Sequence, residues 1–386
     1  MTTPSDALTP CVPRLLVGGL LSMASVLACA DDSGQDDSPD TETGAQTETG
    51  GSETGGSEVG EDTETDTGVE VPALQLCHSD PPVGASLAPA LPTYGGPGVC
   101  PTLETGDVFN VMETSTGPRR FYVVTPADYQ AGEKLPLMFM YHWLGGEPDD
   151  FYDRAEIQYA VDYYGFIALI PEGRTSEQDV PFRWPFSVAD DEARMEEEYA
   201  FHDDMLACAH EQFGVDKECV STMGVSAGAL WSAMLASRHG EHLSSFISLS
   251  GGTGGEFVKS WQTAAHRMPA MVLWGGPSDV CLGVDFEVES TNLEAELEAD
   301  NHFLVECVHN CTHATPPFGG ADPALPTYAP TWEFFLDHPY WLEDGQSPYP
   351  DYVAAMGGLP PAWPQWCSIG AGNAQIRQGE CGGSEC

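Results

Sequence analysis

The sequence predicts an α/β domain built on a mostly parallel sheet with helices on both faces. Three features carry that expectation. Continuous apolar runs recur at residues 135–141, 166–170, 219–223, 245–249 and 270–274, helical stretches separate most of them, and a serine flanked by glycines sits where one run hands over to a helix. Strands buried on both faces read as unbroken apolar runs, whereas a sheet wetted on one side alternates. Strands that alternate with helices imply crossover connections and hence parallel pairing.

Taken in chain order, the first element is a leader. Arg14 precedes an apolar run over residues 15–21 that resumes at Val26-Leu27-Ala28-Cys29. A charged start, a short apolar stretch and small residues at a cut site are the pattern of a secretory signal, and the run is short for a membrane span. Val26-Leu27-Ala28-Cys29 is similar to a bacterial lipobox, in which Cys29 would be lipidated and become the first residue. The alternative is an ordinary leader cut nearby. Residues 1–29 are therefore expected to be a lipoprotein-type signal peptide, and the product an exported protein that is lipid-anchored at the cell envelope or secreted.

Residues 30–72 follow as an acidic tether. Positions 31–70 carry fourteen acids and no Lys or Arg. Such a segment cannot bury enough apolar surface to offset its ordering entropy, and its like charges extend it. Over the whole chain 13 Lys plus Arg face 60 Asp plus Glu, a formal charge of −47. A field of that sign repels nucleic acid and anionic surfaces.

The body, residues 73–340, is expected to hold strands at 121–124, 135–141, 166–170, 219–223, 245–249, 270–274 and 303–308. Helices are expected at 151–164, about 200–213, 227–238 and 292–300. Residues 341–386, rich in Pro, Gly and Cys, read as a cysteine-stapled extension with little regular structure. Ten cysteines follow the leader, an even number that in an exported chain implies disulfides. Local pairs Cys77–Cys100 and Cys208–Cys219, and Cys367 with a terminal cysteine, are the simplest expectation.

Chemistry concentrates at Gly224-Val225-Ser226-Ala227-Gly228. A strand-to-helix turn with glycine on each side holds its serine in a strained conformation, exposes Oγ above the sheet and directs the next backbone N–H toward a developing oxyanion. Ser226 is the candidate nucleophile and Ala227 the first oxyanion donor. The partners should follow in the order acid, then histidine, on loops at the same sheet edge. Asp279 follows the 270–274 strand, with Asp285 a more distant competitor. His313, on the loop beyond the 303–308 strand, is preferred as base over His309. The second oxyanion amide should come from Trp143 or Leu144 in the loop Tyr141-His142-Trp143-Leu144-Gly145-Gly146, with His142 bracing that loop.

Two other readings bear on these residues. Cys307, His309, Cys311 and His313 can be read as a zinc cluster, but extended chain throws successive side chains apart, so four ligands within seven residues converge poorly. No metal and no cofactor are expected. Phe182-Arg183-Trp184-Pro185-Phe186 either offers aromatics to a sugar or phenolic acid or simply packs its loop down.

Residues 119–337 resemble the secreted α/β-hydrolases grouped as polyhydroxybutyrate depolymerase and feruloyl or acetylxylan esterase-like proteins. Tyr141-His142-Trp143-Leu144-Gly145-Gly146, Gly224-Val225-Ser226-Ala227-Gly228, Asp279, His202-Asp203-Asp204 and His313-Ala314-Thr315-Pro316 carry the resemblance. Thr312 stands where the family's G-H-x-x-P ending has glycine, and Trp143 replaces the glycine of the usual His-Gly start. The resemblance implies an α/β-hydrolase fold, a Ser226–His313–Asp279 triad and carboxylic ester hydrolysis without metal or cofactor. An acyl-enzyme route, a monomer and a substrate that is an extracellular ester, polyester or acylated glycan are expected alongside it. A serine peptidase of the same fold, or a surface lipoprotein with an inactive hydrolase body, are the alternatives. Amide turnover and failure of Ser226 to take a fluorophosphonate probe would respectively mark them.

Overall fold

In a computed structural model, the structure describes residues 71–174, 182–319, 323–382 and 386. The leader, Cys29 and nearly all of the tether lie outside the described residues. From residue 71 onward the chain belongs to one compact unit.

A nine-stranded sheet organises that unit. In chain order its strands are β1 (Asn110–Thr114), β2 (Gly117–Val124), β3 (Leu135–Tyr141), β4 (Ile167–Pro171), β5 (Val215–Val225), β6 (Ser245–Leu249) and β7 (Ala270–Trp274), then β10 (Leu304–Val308) and β11 (Cys367–Ile369). The remaining pair, β8 (Val280–Cys281) and β9 (Val284–Asp285), form a small separate hairpin. Across the sheet the order is β1-β2-β4-β3-β5-β6-β7-β10-β11. The six strands from β4 to β10 pair in parallel, and β1, β2 and β11 close the edges antiparallel. Parallel pairing brings the C-terminal ends of β3, β5, β6, β7 and β10 to one edge, and every candidate catalytic and oxyanion residue lies just beyond one of those ends.

The apolar runs do what unbroken runs predict. In β3, Leu137, Phe139 and Tyr141 face one core layer while Met138 and Met140 face the other. The first layer is covered by α3 (Glu192–Phe213), α4 (Ala227–His239) and α5 (Phe286–Ala299). The second is covered by α2 (Ile157–Tyr164), α6 (Ala329–Leu336) and residues of the tail. Each fully buried large side chain adds about 1.5–3 kcal/mol relative to exposure.

Several expectations need correction. The single helix expected over 151–164 is two, α1 (Pro148–Arg154) and α2, because Glu156 between them adopts φ +51°. Helix α3 starts at Glu192 rather than near 200, since the Asp191 carboxylate accepts from the Arg194 N–H as an N-cap. Helix α5 starts at Phe286, where Asp285 caps Val288 N in the same way.

The tail departs most from expectation. Residues 341–386 are not an appendage: β11 forms the ninth strand, α7 (Tyr349–Met356) is helical, and Tyr349, Trp363 and Trp366 are buried in the second core layer. Large aromatics scattered among Pro and Gly show no period, yet each supplies enough apolar area to hold its segment down.

The local disulfide pairs do not form. Cys77 joins Cys219, Cys100 joins Cys208, Cys307 joins Cys367, Cys311 joins Cys381 and Cys281 joins Cys386. The N-terminal segment crosses the body before β1 and so meets α3 and β5, not itself. With Cys307 and Cys311 both oxidised, neither offers a thiolate to a metal.

Candidate active site

Strand β5 ends in the glycine-flanked turn, and its geometry explains both glycines. A Cβ on Gly224 would lie 2.1 Å from the Gly228 carbonyl oxygen, and one on Gly228 would lie 2.0 Å from the Tyr141 oxygen. Only bare backbone lets the strand, the helix and the β3 loop meet this closely. Between them Ser226 is held at φ +55°, ψ −120°, a conformation that L-residues rarely adopt. Its N–H is fixed by the Leu249 carbonyl at 2.9 Å.

Side chains from the Ser226 turn and from the loops after β7 and β10 converge here. His313 Nε2 lies 2.9 Å from Ser226 Oγ, and His313 Nδ1 lies 2.6 Å from Asp279 Oδ1. With the ring proton on Nδ1 donated to the carboxylate, Nε2 is free to accept from the serine hydroxyl. The His313 ring stacks on Phe286 with centroids 4.3 Å apart, which fixes its plane.

Asp279 is fully buried, and its second oxygen, Oδ2, accepts from Ser250 Oγ at 2.8 Å and from Gly275 N at 2.7 Å. A buried carboxylate met by three donors is held in one orientation. Ser250, just past the end of β6 and at φ +48°, escaped sequence reasoning. Its only signal is a lone hydroxyl between an apolar strand and Gly251-Gly252.

The competing residues are engaged elsewhere. Asp285 is the N-cap of α5. His309 is buried, its Nδ1 accepts from Cys311 N at 3.1 Å, and burial pushes the imidazole down to about 4. Thr312 sits at φ +59°, in the left-handed region that favours glycine, and its N–H donates to the Gly275 carbonyl. The glycine expected at this position from the family ending therefore answers a backbone requirement that Thr312 meets under strain.

The loop after β3 packs on the first turn of α4, where the Gly228 approach to Tyr141 joins the two. His142 braces it: Nδ1 donates to the Trp143 carbonyl at 2.8 Å, and Nε2 accepts from Gly173 N at 2.9 Å. Burial depresses the His142 pKa to about 4, so the ring stays neutral. The Trp143 indole folds back over Gly146, while Leu144 is exposed. Residues 182–186 complete the brace. Trp184 is buried and donates Nε1–H to the His142 carbonyl at 2.9 Å, Arg183 donates to the Gly146 carbonyl at 2.6 Å, and Phe182 packs against Phe186. The aromatics of this segment are spent on the loop rather than displayed to solvent.

Among known proteins, residues 121–290 match the family model described as Esterase PHB depolymerase. No curated protein matches the sequence. Two solved structures share the fold: native pOPH, at 16% identity over 70% of this chain and 97% of that one with a TM-score of 0.54, and native sOPH, at 16% over 72% and 99% with a TM-score of 0.53. The family match takes in the glycine-flanked turn and Asp279 and stops short of His313. Sheet order, strained serine turn and the family match over residues 121–290 agree: the chain has the α/β-hydrolase fold and is a carboxylic ester hydrolase.

Proposed function

We propose that the protein is an exported serine esterase that works through an acyl-enzyme, with Ser226 as nucleophile, His313 as general base and acid, and Asp279 as its orienting carboxylate. The observation that carries this reading is the continuous hydrogen-bonded line from Asp279 Oδ1 through the His313 ring to Ser226 Oγ. His313 takes the serine proton as Oγ attacks the ester carbonyl, then passes it to the leaving alcohol; water repeats the sequence to free the acid. The Ala227 N–H at the start of α4, with an amide from Trp143 or Leu144, receives the developing oxyanion. The bracing of residues 142–146 supports that second donor.

The substrate is an extracellular ester, polyester or acylated glycan, and the enzyme acts as a monomer. Five disulfides support an oxidising location. We place the anchor at Cys29, with residues 30–72 as a solvated spacer. Cys29→Ala should release the protein from the membrane fraction, and retention there would remove the anchor from the reading.

Ser226→Ala should abolish hydrolysis of short p-nitrophenyl esters with the fold intact, and undiminished turnover would overturn the assignment. His313→Ala should be as inactive, whereas His309→Ala keeps its turnover. The reverse pattern would exchange the two histidines.

A further inference from the structure

Two of the five disulfides tie the end of the chain to the loops that carry Asp279 and His313. Cys281 lies two residues after Asp279 and is bonded to Cys386, and Cys311 lies two residues before His313 and is bonded to Cys381. Residues 377–379, just upstream of Cys381, follow the same loops without covalent help. Arg377 N donates to the Val308 carbonyl at 2.9 Å, Arg377 Nη1 to Asn310 Oδ1 at 2.9 Å, and Asn310 Nδ2 to the Gly379 carbonyl at 2.9 Å. A third disulfide, Cys307–Cys367, fastens β11 to β10 immediately upstream. Among the described residues nothing comparable holds the Ser226 turn, which is already fixed between β5 and α4. The acid and the base are the two members of the line that sit on loops, and both loops are strapped to one tail.

We infer that the C-terminal tail is a positioning strap for the acid and base loops, acting through Cys311–Cys381 and Cys281–Cys386. This rests on the Ser226–His313–Asp279 reading and deepens it. Positional errors near an ångström between reacting groups cost about 100-fold in rate. The rest of the fold does not depend on the strap, since the sheet and both core layers are complete upstream of residue 377. The strap is also the most accessible cystine region. Cys381 and Cys386 are exposed, whereas Cys77–Cys219 and Cys307–Cys367 are buried at both ends. A reductant in solution therefore opens the strap before it reaches those buried pairs.

The test compares the full chain with two double variants, Cys311→Ser with Cys381→Ser and Cys281→Ser with Cys386→Ser. Cys100→Ser with Cys208→Ser, which unties a disulfide on α3, serves as a control. Each tail variant should lose about tenfold or more in kcat with KM changed less than about threefold, the signature of a displaced catalytic group rather than a lost binding site. The α3 control should lose stability but keep kcat. Tail variants within about twofold of the parent kcat would overturn the strap. Ser226→Ala run alongside separates the two readings: its inactivity beside fully active tail variants removes only the strap, and its retained activity removes the triad itself. Should the double variants fail to fold, the parent protein is treated under native conditions with a water-soluble phosphine, which becomes phosphine oxide by taking oxygen from water and leaves two thiols per disulfide. Alkylation then maps the opened cysteines. Activity that falls as Cys381 and Cys386 become alkylated, while circular dichroism is unchanged, supports the inference; full activity with both alkylated overturns it.

Discussion

Ser250 Oγ donates to Asp279 Oδ2 at 2.8 Å, on the oxygen that His313 does not use. The carboxylate is thus gripped from both sides, and its Oδ1 faces the imidazole because Oδ2 is taken. Removing the hydroxyl leaves Gly275 N as the remaining donor to that oxygen. A hydrogen bond to a buried charged group contributes about 1.5–3 kcal/mol, of which the part felt at the imidazole sets the rate. Ser250→Ala should lower kcat by about 3–30-fold with KM nearly unchanged, read on a short p-nitrophenyl ester. An unchanged kcat would show that Gly275 suffices.

Thr312 makes a different kind of demand on the same site. Its backbone is left-handed at φ +59°, and its buried hydroxyl has no hydrogen-bond partner among the described residues. A β-branched residue in that conformation costs about 1–2 kcal/mol, and an unmet buried hydroxyl adds to it. Glycine removes both at the cost of a more flexible unfolded chain. Thr312→Gly should therefore stabilise the protein by about 1 kcal/mol and keep kcat within about twofold. A lower melting temperature would mean that the threonine methyl packs more usefully than its strain suggests.

Much of this molecule can be read before it is folded, for identifiable reasons. Strands β3, β4 and β7 are legible because burial on both faces leaves no polar residue to interrupt them. The serine turn is legible because two close backbone approaches force glycine at Gly224 and Gly228. What escaped depends on contacts between residues far apart in sequence. Ser250 acquires its role only when the end of β6 reaches the loop after β7. The tail is opaque because Tyr349, Trp363 and Trp366 hold it by area rather than by periodicity. Disulfide partners follow the path of the N-terminal segment over the body, which local spacing does not encode.

Away from the site, Glu198 on α3 is buried between two guanidinium groups. Arg119 Nη1 lies 2.7 Å from Glu198 Oε1, and Arg194 Nη1 lies 2.7 Å from the same oxygen. Burial alone would raise its pKa, but Arg119 and Arg194 outweigh that and hold the carboxyl below the usual range. Neutralising it strands two buried cations, and breaking such a cluster costs about 3–5 kcal/mol. Glu198→Gln should lower the urea midpoint by that equivalent while Ser226 still takes a fluorophosphonate probe. Because a depressed carboxylate pKa stabilises above the unfolded value and is lost as pH falls, the difference from the parent should shrink in acid.

Glu294 on α5 has the opposite sign. It lines a cavity of about 460 Å³ between α5, β10 and the tail, together with Glu298 and Glu306. Burial, and then the neighbouring Glu306 charge, push its pKa up to about 8, against one hydrogen bond from Trp274 Nε1 at 3.3 Å. In the folded protein the group therefore keeps its proton through neutral pH, while in the unfolded chain it releases it near 4.3. The folded state binds the extra proton, so this residue's contribution falls as pH rises from about 4 toward 8. Glutamine keeps the shape and the acceptor for Trp274 without the charge. Glu294→Gln should thus raise the melting temperature at pH 8 and 9 and leave it nearly unchanged at pH 4. A benefit of equal size at both ends of that range would trace the gain to packing rather than to the proton, and would return Glu294 to an ordinary buried acid.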